Sequence, residues 1–210
     1  MNPYSTTQAS GLFSSDTTGA MQGLSLADPA TRYRLSQGYV SPNETLPMWG
    51  GLAVSEHISG IAGSGPTNAA SMSSRMGSEL KRATSATDMI GVTLYDHGNH
   101  MIVMPGSNAA QAAPGNSIGF ARFGSNMRVP VPADPALRQQ IGQNTNLPLG
   151  WDFQNQRLIA GTSGNTIPVR LLEIYETGGQ FVRYDATKQT LNWTYADDNA
   201  KDTILVLIQL

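Results

Sequence analysis

From about residue 89 onward the chain is a succession of short apolar runs, each ended by turn residues, and this spacing most restricts what it can fold into. Residues 117–123 alternate, turn at Gly124, Ser125 and Asn126, and lead into residues 127–131. Pro130 and Pro132 have no N–H for a ladder, which predicts an edge strand or a strand exit there. Further strands are predicted over residues 149–153, 156–160, 167–176, 180–184, 190–195 and 203–210. Strands about every 8 to 12 residues, with turn chemistry between them, predict an all-β fold. The architecture expected is an antiparallel barrel or jelly-roll-like sandwich, two forms that strand spacing does not separate. Residues 89–95 and 100–104 flank Asp96, His97, Gly98 and Asn99, which reads as a hairpin. At most one or two short helices are expected. One lies over residues 134–141, where Asp134 takes the N-cap and Pro135 the first helical position. Another is a candidate over residues 74–82.

An internal echo supports the β reading. Residues 151–158 and 184–191 share an order: aromatic, Asp, three residues, Gln, any residue, Leu. In a hairpin the aromatic ends one strand, Asp caps the turn through its own side chain, and Leu re-enters the core. Two independent hairpins are favoured over a duplicated unit, because no longer repeat surrounds them.

The texture divides the chain into three zones. Residues 1–45 are rich in Ser, Thr, Gly and Ala, with isolated apolars, and read as an extended N-terminal arm. Residues 46–89 read as a short buried strand or bulge followed by a long loop region packing on the body. Residues 90–210 form the β body.

Charged residues make up only 13 % of the 210 residues, about half the usual share. Neutral polar surfaces of this kind suit subunits that pack against neighbours, since burying unpaired charge is costly. The net charge is −2, and Lys81–Arg82 is the only adjacent basic pair. Nucleic-acid binding, which needs a clustered basic face, is therefore not expected. With no cysteine the chain has no disulfide or thiolate metal site, which fits folding in a reducing cytoplasm. The first 20 residues lack a basic n-region and an apolar h-region, and the longest apolar run, residues 204–208, is far too short to span a bilayer. Neither a signal peptide nor a membrane partner is expected.

Chemistry-bearing constellations are few. His97 and His100 crowd with Asp96 and Asn99 around one turn, where turn formation explains them more simply than metal binding or catalysis. His57 follows Glu56 without a nucleophile motif, and no P-loop, nucleophile elbow or zinc-helix motif is present. Asp197, Asp198, Asn199 and Asp202 read as a solvated turn. No catalytic residue, metal ligand or cofactor is expected, and the chain is not read as an enzyme. Trp151 and Trp193 fall in or beside the two echoed hairpins, where an aromatic anchors a core or an interface more often than a sugar platform. Leu12, Phe13, Leu24 and Trp49 are the candidate partner-binding anchors.

Several stretches resemble small virion proteins of tailed bacteriophages: VPVPADPALR at residues 129–138, PLGWDFQNQRLI at 148–159, PVRLLEI at 168–174, then Tyr184–Asp185, Asn192–Trp193 and a closing apolar strand. The run VSPNETLPMWGG, at residues 40–51, is also similar to the opening of such proteins. The resemblance covers roughly the last 80 residues and implies a capsid decoration, or cement, subunit. Its partners would be the major capsid protein and copies of itself, as trimer or dimer. Its place would be the capsid surface of the virion, after synthesis in the bacterial host cytoplasm. The alternative is a glycan- or receptor-binding β module of a virion fibre or surface appendage. A small β-fold hydrolase ranks third.

Overall fold

The computed structural model of the chain describes residues 20–25, 34–57, 78–95, 101–143, 146–175, 179–196 and 202–210. Their architecture is all-β. Five strands form a closed barrel: β1 (Leu35–Val40), β2 (Ala53–His57), β3 (Ser78–Arg82), β4 (Gly91–Leu94) and β5 (Ser117–Arg122), in the order β1-β3-β2-β4-β5. A five-stranded sheet follows, from β6 (Arg128–Ala133), β7 (Leu149–Asp152), β8 (Arg157–Ala160), β9 (Arg170–Tyr175) and β12 (Ile204–Gln209), in the order β7-β8-β6-β12-β9. The remaining pair, β10 (Gly179–Asp185) and β11 (Thr190–Ala196), is a hairpin of its own. Pairing is antiparallel except for β1 with β3 and β6 with β8.

Side-chain alternation connects these bodies. Val54 on β2, Leu80 on β3, and Ile118 and Phe120 on β5 form one buried cluster. Ala53, Val92, Leu94 and Ala121, from the same barrel strands, belong to a second cluster with Val129, Val131, Trp151, Leu158 and Val206 of the sheet. Neighbouring residues on a strand point to opposite faces, so the barrel strands are buried on both sides. The same holds for β12. Ile204, Val206 and Ile208 join the core shared with the barrel, while Leu205 meets Phe181 and Ala196 of the hairpin. That double cover accounts for a strand with no polar alternation.

Local turn chemistry follows the sequence closely. In both echoed hairpins the aromatic pairs with the leucine, Trp151 with Leu158 and Tyr184 with Leu191. Asp152 accepts from the amides of Gln154 and Asn155, and Asp185 from those of Thr187 and Lys188. Gln156 and Gln189 both take a left-handed φ of 53°. Asp134 caps a 3-10 helix at Pro135–Gln140, accepting from Ala136 N at 2.9 Å.

Non-local features differ from expectation. The predicted hairpin of residues 89–95 with 100–104 does not form. Both edges of β4 are occupied, by β2 and β5, and Ile102 bridges to Gln111 instead. Residues 78–82 are strand β3 rather than helix, with Leu80 buried between polar neighbours. β1 lies in the zone read as an arm but is a barrel stave, and the barrel runs across the expected boundary at residue 90. β6 is interior in its sheet despite two prolines. Gly23 N donates to Pro130 O at 2.7 Å, so Pro130 turns its peptide edge away from β12, and β8 joins β6 only at Ala133. Pro132, two residues on, shares that edge, so neither proline removes a ladder bond to β12.

The segment at residues 20–24 ties all three bodies together. Gln22 N donates to Gln180 O and Gln180 N to Ala20 O, adding a short parallel strand beside β10. Gly23 bonds Pro130 of the sheet through its N–H and Tyr95, just after β4, through its carbonyl. Its φ is +75°, and a Cβ there would lie 2.5 Å from the Gly50 carbonyl carbon.

On the barrel wall, Arg122 of β5 pairs with Glu56 of β2, donates to Ser36 of β1 and lies over Phe120. The Arg122 hydrogen bond outweighs burial and holds the Glu56 carboxyl below its ordinary value of 4.5. An unfolded chain therefore binds more protons in this range, so stability is complete above the ordinary carboxylate range and is lost as pH falls through the lower folded value. Urea midpoints are expected to fall below about pH 4.5, and less steeply in Glu56→Gln. Gly91 provides a second test. A Cβ there would sit 1.9 Å from the Ala121 carbonyl oxygen, inside the β4–β5 ladder. Gly91→Ala is expected to cost about 3 kcal/mol in urea denaturation.

Candidate functional site

The barrel, the sheet and the β10–β11 hairpin leave a cleft of about 590 Å³ where they meet. Two glutamine side chains fix its shape. Gln22, buried in the 20–24 segment, donates through Nε2 to Gly50 O at 2.9 Å and accepts from Val182 N at 2.9 Å. Gln156, at the left-handed corner of the β7–β8 turn, accepts from Ala53 N at 3.0 Å and donates to Phe153 O at 2.8 Å. Each amide joins the barrel to another body by satisfying backbone groups that no strand partner reaches.

One wall carries Trp49 and Tyr184, stacked at 6.2 Å between ring centroids with 23° between planes. Trp49 is held from behind by Thr93, whose hydroxyl donates to Trp49 O and accepts from Leu52 N. Arg82 shares the Leu80 face of β3, and at the barrel's end its guanidinium lies 5.0 Å above the Trp49 ring. Its Nη2 donates to Pro47 O at 2.6 Å, and its backbone N–H donates to Glu44 Oε1 at 3.0 Å. Burial lowers the Arg82 pKa, opposed by Glu44 and Tyr184. Arginine nonetheless stays protonated. Among the described residues, no carboxylate lies within ion-pair distance of this guanidinium. Two buried donors, Arg82 Nε and Trp49 Nε1, have no hydrogen-bond partner there.

The opposite end is electrostatically closed. Arg183 lies 5.2 Å above the Phe181 ring and donates to both Asp202 carboxylate oxygens, at 2.5 and 2.7 Å. Arg157 donates to Asp202 O at 2.6 Å, and pairs with Asp134 at 2.9 Å and Asp152 at 3.5 Å. At Asp152, burial is outweighed by the hydrogen bonds from Asn155 and Gln154 and by the charge of Arg157, and its pKa is lowered. The cleft thus has one neutralised end and, at the other, a cation with no direct ion pair among the described residues.

The residues expected to bind a partner fall differently. Trp49 is 7 % exposed and Leu24 8 %, so both anchor the chain to its own body. This corrects their reading as outward anchors: isolated apolars in a polar stretch mark burial, but not whose surface covers them. Leu12 and Phe13, the turn holding Asp96, His97, Asn99 and His100, and the carboxylates Asp197 and Asp198 lie outside the described residues. His57 stands exposed at the end of β2. Trp151 is fully buried, and Trp193 is half-buried against Tyr95, with ring centroids 5.2 Å apart. Among the described residues no group of three His, Cys, Asp or Glu could hold a metal ion, and no helix is long and apolar enough to cross a membrane.

Sequence reasoning did not find Gln22, Gln156, Arg157 or Arg183 as cleft residues. The repeated Gln of the two turn motifs was a signal, though only Gln156 reaches the barrel. Lys81–Arg82 was visible as a basic pair, but strand alternation parts the two side chains.

Gln22→Ala would strand the Val182 N–H and the Gly50 carbonyl. A loss of about 2 to 4 kcal/mol is expected, with faster hydrogen exchange at the Val182 amide; unchanged exchange would show that Gln22 is not the clamp.

No protein-family model, curated protein or solved structure matches this chain.

Proposed function

We propose that the chain is a bacteriophage virion structural protein that binds the outside of the capsid shell and cements neighbouring major capsid subunits. The observation that carries this reading is an exposed apolar triplet on a chain with few charges. Ile102, Val103 and Met104 are 48, 57 and 41 % exposed, consecutive, and outside any strand ladder except the Ile102–Gln111 bridge. Contiguous apolar surface of this kind marks a contact with another protein more often than it marks bare surface. The low charge content lowers the desolvation cost of covering the surrounding surface.

Two further features support it. The segment at residues 20–24 adds a short strand beside β10 of its own chain, and strand addition is also a mode by which an arm can engage a neighbouring subunit. The stretches at residues 40–51, 129–138, 148–159 and 168–174 resemble small virion proteins. Symmetry on a shell multiplies weak single contacts, so a modest patch on each copy suffices. In this reading Leu12 and Phe13 remain anchors, the triplet replaces Leu24 and Trp49, the copies act as trimer or dimer, and neither cofactor nor catalysis is required.

Cosedimentation of the full chain with shells lacking it tests the reading. Saturable binding is expected, weakened at least about tenfold (1.4 kcal/mol) when Ile102, Val103 and Met104 are all changed to Ser. A chain beginning at Ala20 keeps every described strand and is expected to weaken as well, through loss of Leu12 and Phe13. Absence of binding by the full chain would sink the proposal.

A further inference from the structure

We propose that the cleft is a binding site for a small polar ligand bearing an oxyanion, of the size of a sugar acid or sugar phosphate, with Arg82 as its charge partner. The inference stands independently of the shell-binding role.

It starts from an imbalance. A largely buried guanidinium is costly unless a counter-charge repays its lost hydration. Arg157 and Arg183, on the same cleft, each have one, from Asp134, Asp152 and Asp202. Arg82 has a ring beneath it, one carbonyl on Nη2 and no carboxylate in ion-pair range among the described residues. The nearby Glu44 carboxylate is engaged by the Arg82 backbone N–H rather than by the guanidinium. Arg82 Nε and Trp49 Nε1 at this end are buried donors without a hydrogen-bond partner, as is Arg157 Nε at the other end, where Asp134 and Asp152 supply the counter-charge. Glu44 offsets the Arg82 charge only through space, so a guanidinium without a direct ion pair and two unmet donors both favour anionic oxygen. A guanidinium held over a ring also presents its donors in a fixed plane, which suits bidentate recognition of carboxylate or phosphate.

The size of the ligand follows from the rest of the cleft. A volume of about 590 Å³ lies within the range of small-molecule sites, and an inorganic anion would fill little of it. Beyond Arg82 the lining offers Tyr184, Asn155, Gln154 and Thr203, which are aromatic, amide and hydroxyl groups suited to a hydroxylated ring. Carboxylate and phosphate share the recognising chemistry, and the titration separates them.

The test is a titration of the ¹⁵N-labelled full chain, following the Trp49 indole N–H and the Arg82 Nε–H by NMR. The probes are glucuronate, glucose 6-phosphate, glucose and inorganic phosphate. Saturable shifts of both signals with glucuronate or glucose 6-phosphate, at least about tenfold tighter than with glucose or inorganic phosphate, are expected; the tighter of the two identifies the oxyanion. Arg82→Gln is expected to lose that preference. Arg82→Lys, which keeps the charge, should retain part of it, so a general loss of fold is told apart from loss of the charge partner. Equal response to glucose, a response to inorganic phosphate as strong as to either sugar anion, or no saturable shift would each overturn the proposal. So would a tetraglutamate peptide that binds the same signals more tightly than both sugar anions.

Discussion

Strand β12 is buried on both faces, and the arrangement of sheet, barrel and hairpin follows from that double burial. Ile204, Val206 and Ile208 face the core shared with the barrel, and Leu205 faces the β10–β11 hairpin. Covering each such side chain is worth about 1.5 to 3 kcal/mol, so this strand must have protein on either side of its sheet. β6 and β9 flank it within the sheet, and the barrel and the hairpin cover it from without. The hairpin inherits the same demand: Phe181 turns to Leu205, while Val182 and Leu191 join the barrel cluster.

Three bodies brought together by apolar faces leave backbone groups at their seams that belong to no ladder. The molecule meets these with side-chain amides and with one glycine rather than with added strands. Gln22 reaches Gly50 and Val182, Gln156 reaches Ala53, and Gly23 bonds both Pro130 and Tyr95. Where the shared apolar cores end, polar clamps rather than packed side chains span the seam, and space remains between the bodies. That space is the cleft. Its charges are a by-product of strand ends meeting there: Arg82 closes β3, Arg157 opens β8 and Arg183 lies late in β10.

The candidate shell contact is of a different kind. Ile102, Val103 and Met104 are apolar residues that the chain's own cores do not use, although Met101 beside them packs on the barrel cluster. The physical logic is a division of labour. Core side chains alternate in and out along ladders already filled, whereas the triplet follows a strand with no free edge and is left at the surface.

The features legible from the residues alone were local. The short alternating runs fixed the all-β class, Asp134–Pro135 set the capped turn of 3-10 helix, and the aromatic–Asp–Gln–Leu echo specified two hairpins down to the same left-handed Gln. These depend on interactions within a few residues, which composition and spacing encode directly. Which strands pair across distance emerged in the folded chain alone. β1 pairs in parallel with β3, Gly38 opposite Ser78 across 40 residues of sequence, β4 takes β2 and β5 instead of the run that follows it, and Trp49 and Leu24 turn inward. The reason is that a strand has two edges and two faces whatever its sequence, and which partner fills them is a competition among all the strands at once. Arg82 shows the same limit at the cleft: its neighbour Lys81 leaves for the opposite face of β3, and what waits on its own face, a ring, a carbonyl and no carboxylate, is set by residues from other parts of the fold.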